Sequence, residues 1–91
     1  MIVHVTIRDL AFTPKVVNVH IGTTVVWTNE DDVAHTVTSG MTVDDNRWAS
    51  SPLLSSGKSF SVRFDTAGRF PYFCKPHYYD ESMHGVVVVS K

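Results

Sequence analysis

Phe73-Cys74-Lys75-Pro76-His77-Tyr78-Tyr79-Asp80-Glu81-Ser82-Met83-His84-Gly85 is the stretch around which the rest of the chain is organised. It holds the sole cysteine of 91 residues. A histidine follows that cysteine after two intervening residues, and a methionine follows the histidine after five more. Each signal alone is weak. A lone cysteine is usually a small buried hydrophobe, and Cys-x-x-His also occurs in zinc sites. A closed structural zinc site, however, ordinarily draws on several cysteines. Thiolate, imidazole and thioether on one short loop form a soft and borderline donor set. Two histidines and a cysteine in a plane, with a weak axial methionine, make the set of an electron-transfer copper centre. The second histidine is found upstream, as His35 in Val33-Ala34-His35-Thr36-Val37. The candidate ligands are therefore His35, Cys74, His77 and Met83. Glu81 and His84 are lesser candidates from the same loop.

Working outward, the flanking sequence is β-rich. Phe70 to Cys74 continues as a strand that delivers the cysteine at its end, and Gly85 releases the chain into the apolar run Val86 to Val89. Ser59 to Phe64 alternates with Phe60, Val62 and Phe64 on one face, as a half-buried strand does. Upstream, Val3 to Ile7 alternates in the same way. Val17, Val19 and Ile21 share a face, and Val25 and Trp27 share another. Asn29-Glu30-Asp31-Asp32 is a turn with three acids in succession, expected to be a solvated loop tip. From Ser39 to Gly57 the periodicity lapses, with Trp48 and Leu53-Leu54 expected to tuck this connection onto the sheets. Seven short strands with turn signals between them and no long helical pattern predict an all-β, antiparallel sandwich over residues 1–91, as one domain.

Bulk properties narrow the function. Hydrophobic residues make up 43% of the chain and net charge is −1, so there is no basic footprint for nucleic acid. No apolar run reaches the ~18 residues of a membrane-spanning helix. Met1 leads directly into a strand-like pattern, with no secretory signal visible ahead of it. One cysteine allows no intrachain disulfide. Stability must come from the core, the sheet ladders and any bound metal.

Trp27-Thr28-Asn29, His35-Thr36-Val37, Phe64 to Phe70, Tyr72-Phe73-Cys74-Lys75-Pro76-His77 and Met83-His84-Gly85-Val86-Val87-Val88-Val89 together resemble the cupredoxins, nearest in pattern to the plastocyanin and amicyanin type. That resemblance implies a Greek-key β-sandwich and one type 1 (blue) copper ion per chain, with its ligands on His35, Cys74, His77 and Met83. It also implies a monomeric one-electron carrier in an extracytoplasmic setting, the periplasm or an outer cell surface, whose redox partners dock near His77. Two departures stand out. Tyr78 to Ser82 makes the ligand loop roomier than in the amicyanins, and Thr36 stands where the family often has an asparagine bridging to the cysteine loop.

Mechanistically, a coordinated Cys74 is a thiolate. Pro76 lacks an N–H, which removes one donor to the Cys74 sulfur and favours Cu(II). Tyr78 and Tyr79 are candidates for a docking surface around His77. The competing function is a copper oxidoreductase acting on a small molecule such as nitrite or nitric oxide. It would need an exchangeable ligand position, which the enlarged loop could leave. A third possibility is storage or delivery of Cu(I).

Overall fold

A computed structural model describes residues 1–40, 50–77 and 79–91. The strands are β1 (Ile2–Arg8), β2 (Ala11–Thr13), β3 (Val16–His20), β4 (Thr23–Asn29), β5 (Thr38–Ser39), β6 (Ser59–Phe64), β7 (Gly68–Phe73) and β8 (His84–Ser90). They form two four-stranded sheets, ordered β2-β1-β4-β6 and β3-β8-β7-β5. The expected all-β sandwich is present. Strand β2 goes beyond the seven expected, because three residues are too few to display alternation.

Two pairings are parallel, β1 with β4 and β3 with β8. Alternating hydrophobicity cannot distinguish these from antiparallel neighbours. β3 belongs to the opposite sheet, so the chain crosses over and back before β4 is laid beside β1.

The inward faces meet in one core containing Val5, Ile7, Val17, Val19, Val25, Trp27, Phe64, Tyr72, Val87 and Val89. Fully burying one such aliphatic or phenyl side chain contributes ~1.5–3 kcal/mol, against ~1 kcal/mol net for a typical hydrogen bond. Burial therefore carries the fold without a disulfide. Phe60 and Val62 pack against this core as expected. Ile21 does not. It lies beyond the end of β3 and is exposed. Val86 and Val88 are only half-buried, because they alternate with Val87 and Val89 onto the outer face of their sheet. Leu54 is buried while Leu53 is 64% exposed, so only one of the pair secures the long connection. Met41 and Trp48 lie outside the described residues.

Two local devices place the loops at one end of the sandwich. Strands β7 and β8 pair antiparallel up to Phe73 opposite His84, so the Cys74–Met83 segment is the connection of a long hairpin. Its first and last residues are joined by the Cys74 N–H donating to the Met83 carbonyl at 2.9 Å. Gly85, just inside β8, permits a close approach. A Cβ there would sit 2.5 Å from the Tyr72 hydroxyl and 2.9 Å from the Lys15 carbonyl oxygen. Only glycine lets the Tyr72 ring lie against this backbone.

Candidate metal centre

Three side chains from two separate segments converge at this end. Cys74 leaves the end of β7, and His77 closes the short 3₁₀ turn Lys75–His77, whose backbone is tied by the His77 N–H donating to the Cys74 carbonyl at 3.0 Å. His35 arrives from the loop after β4. It is fixed by a two-way bridge with Leu54, His35 N–H to Leu54 carbonyl at 3.0 Å and the reverse at 2.7 Å. Asn29, fully buried at the end of β4, organises that loop. Its amide donates to the carbonyls of Val33 and Leu54, both at 2.9 Å, and its side-chain oxygen accepts the Asp31 N–H at 2.9 Å.

The Cys74 Sγ lies 3.3 Å from His35 Nδ1 and 3.4 Å from His77 Nδ1. The donor atoms of these residues all fall within 4.8 Å of one another. Donors bonded to one first-row metal at the ~2.0–2.3 Å typical of imidazole and thiolate would stand ~3.7 Å apart in a trigonal plane. The three side chains thus fit a shared ion with little movement. Cys74, His35 and Met83 are fully buried. His77 is partly exposed and, with Leu10, Asp31, Asp32 and Val33, lines a shallow surface depression. Met83 belongs to the same buried cluster as Cys74 and is tied to it through the backbone.

The sulfur is electrostatically tuned by its surroundings. Burial pushes the Cys74 thiol above its ordinary value, and the N–H groups of Thr36 and His77 partly oppose this. The Thr36 N–H donates to Sγ at 3.4 Å. A buried thiol of this kind is a poor nucleophile until a cation displaces its proton. Tyr72, two residues before Cys74, is pushed up to about 12 by burial, with the Trp27 side chain partly offsetting it, so its phenol stays neutral. The two rings meet edge to face at 5.2 Å.

The lesser candidates go elsewhere. His84 stacks on Phe73 at 5.7 Å and Glu81 is exposed; neither joins the His35–Cys74–His77 group. Tyr79 is 77% exposed, and Tyr78 lies outside the described residues.

Asp31 corrects the sequence expectation. It is not a solvated tip: its Oδ2 lies 2.7 Å from His35 Nε2. The only sequence signal for this was its separation of four residues from His35. Thr36 faces the cysteine loop, and its hydroxyl accepts the Lys75 N–H at 2.8 Å.

With this geometry in hand, the comparisons with known proteins are consistent. Residues 1–90 match the copper binding proteins of the plastocyanin/azurin family. The chain is 34% identical over 88 residues to amicyanin-alpha of Methylorubrum extorquens, a match covering 94% of this chain and 70% of that protein. It is 32% identical over 91 residues to chloroplastic plastocyanin of Tetradesmus obliquus, covering 89% of this chain but 59% of that longer protein. In structure it is similar to a purple cupredoxin from Nitrosopumilus maritimus, at a TM-score of 0.84 and 28% identity over 97% of this chain and 99% of that one. A two-sheet sandwich that brings His35, Cys74 and His77 together at one end, and a family match spanning almost every residue, place this chain in the plastocyanin/azurin family of copper-binding cupredoxins.

Proposed function

We propose that the chain is a mononuclear type 1 copper protein that carries single electrons between redox partners. His35, Cys74 and His77 would be the strong ligands and Met83 the weak axial one. The observation that carries this is the convergence of His35 Nδ1, Cys74 Sγ and His77 Nδ1 from two loops on a buried floor. Copper held there supplies a Cu(II)/Cu(I) couple.

The residues divide the work. The end of β7 and the Leu54 bridge anchor Cys74 and His35 to the sandwich, so these donors would move little when bound copper changes oxidation state. A fixed arrangement keeps the reorganisation accompanying each electron small. Cys74 contributes the thiolate, and Met83, fully buried beside it, excludes water from that side. His77 is the exit, because it is the partly exposed member of the group and borders a depression flanked by Leu10 and Val33. A partner docking there brings its own centre close to the ring. By resemblance, the setting is extracytoplasmic and the protein a monomer.

The visible spectrum of the Cu(II)-loaded protein, with and without azide, tests this proposal. Intense thiolate-to-copper bands that azide leaves unchanged are expected. Bands that azide shifts would favour small-molecule chemistry at an open position. Absence of such bands would overturn the proposal.

A further inference from the structure

Asp31 sits where three structural demands meet. Its Oδ2 lies 2.7 Å from His35 Nε2, a separation typical of a charge-assisted hydrogen bond. The same carboxylate accepts the N–H of Asp9 at 2.6 Å through Oδ1 and that of Leu10 at 3.0 Å through Oδ2. Those residues form the tight turn between β1 and β2, and both have φ in the left-handed region, +54° and +56°. A left-handed backbone is costly for a residue with a side chain, so the turn benefits from an acceptor for both of its N–H groups.

The consequence lies in the imidazole. A carboxylate can only accept, so His35 Nε2 must carry the proton. A neutral ring then presents a bare lone pair at Nδ1, the nitrogen facing Cys74 Sγ at 3.3 Å. The partner that fixes the tautomer also adds negative charge beside the ring, which favours the more positively charged metal state. His77 differs: it is partly exposed, and no carboxylate among the described residues is hydrogen-bonded to it.

We propose that Asp31 is a positioning residue for the metal centre, locking His35 in the Nε2–H tautomer and lowering the reduction potential through its charge, while anchoring the Asp9–Leu10 turn to the same point. This rests on copper being held by His35, as proposed above.

The test uses the copper-loaded protein, with Asp31→Asn, which keeps an acceptor but removes the charge, and Asp31→Glu, which keeps the charge. In ¹⁵N-histidine spectra of the Cu(I) form of the parent, the His35 Nε2 is expected to carry a proton. At a fixed solution potential, Asp31→Asn is expected to raise the Cu(I):Cu(II) ratio about tenfold, or ~59 mV for one electron, with Asp31→Glu closer to the parent. A parent His35 lacking the Nε2 proton overturns the proposal whether or not the variants fold. So does a change of less than about twofold in Asp31→Asn, or an equal shift in both variants. Copper content and the thiolate band are recorded on the same samples. Loss of both in the parent brings down the copper reading and this inference together, whereas intact bands with an unmoved potential bring down only the role of Asp31.

Discussion

Thr36 Oγ1 accepts the Lys75 N–H at 2.8 Å, joining the residue after one histidine ligand candidate to the residue after the cysteine. The same hydroxyl lies 2.8 Å from Thr38 Oγ1, and the Thr36 backbone N–H points at the Cys74 sulfur at 3.4 Å. One residue therefore ties the His35 segment to the Cys74 loop by both backbone and side chain. Thr36→Val keeps the shape and removes the hydroxyl. It is expected to cost ~1 kcal/mol from the unpaired Lys75 N–H, read as a lower denaturant midpoint, and to broaden the visible bands of the copper-loaded protein.

Asn29, at the end of β4, organises the loop before His35 through three side-chain hydrogen bonds made from a fully buried position. Asn29→Ala leaves two carbonyls and one N–H to find other partners. A loss of about 3 kcal/mol is expected by chemical denaturation, with a faster loss of copper to a chelator because the Leu54 bridge to His35 is loosened.

Gly85 tests the close approach of Tyr72. A methyl group there meets the Tyr72 ring atoms and the Lys15 carbonyl, neither of which is the free end of a flexible chain. Gly85→Ala is expected to destabilise the fold by about 2 kcal/mol through overpacking, measured by thermal or denaturant unfolding. Substituting Tyr72→Phe in the same background should recover part of the loss, since the hydroxyl is among the nearest contacts.

Met83 separates packing from ligation. Met83→Leu keeps a buried apolar side chain of similar volume, so stability should fall by less than ~1.5 kcal/mol. An axial role predicts in addition a raised reduction potential and an altered ratio of the visible bands. Unaltered bands with an unaltered potential would assign Met83 to the core alone.

Leu10 stands at the depression beside His77 and in a left-handed turn position. Leu10→Asn suits that backbone better, because asparagine tolerates the left-handed region, and it removes an apolar contact from the face. Unchanged or slightly raised stability is expected, with slower electron exchange with partner proteins at an unchanged potential. Stopped-flow kinetics with a partner beside equilibrium unfolding distinguishes the two effects.

Much of this was legible from the chain. The β-periodicity of Val3–Ile7, Val25–Trp27 and Phe60–Phe64 identified inward faces that the core confirms, because alternation reports burial directly. The spacing of Cys74, His77 and Met83 marked one hairpin connection as the candidate site, since residues so close in sequence need only a turn to meet. His35 was singled out because a metal plane needed one more imidazole, and the sandwich brings it to the sulfur.

Other features depend on pairing across long separations. The parallel pairs β1–β4 and β3–β8 follow from which sheet each strand joins, and that is settled by packing between sheets. Asp31 looked like one acid among three, and only the approach of the Asp9–Leu10 turn and the His35 ring makes it a hydrogen-bonding hub. Residue type and spacing thus determined the fold class, the ligand candidates and the chemistry open to them. Tertiary structure decided which polar groups support those candidates, because hydrogen bonds between distant segments form only once the core has brought their backbones together.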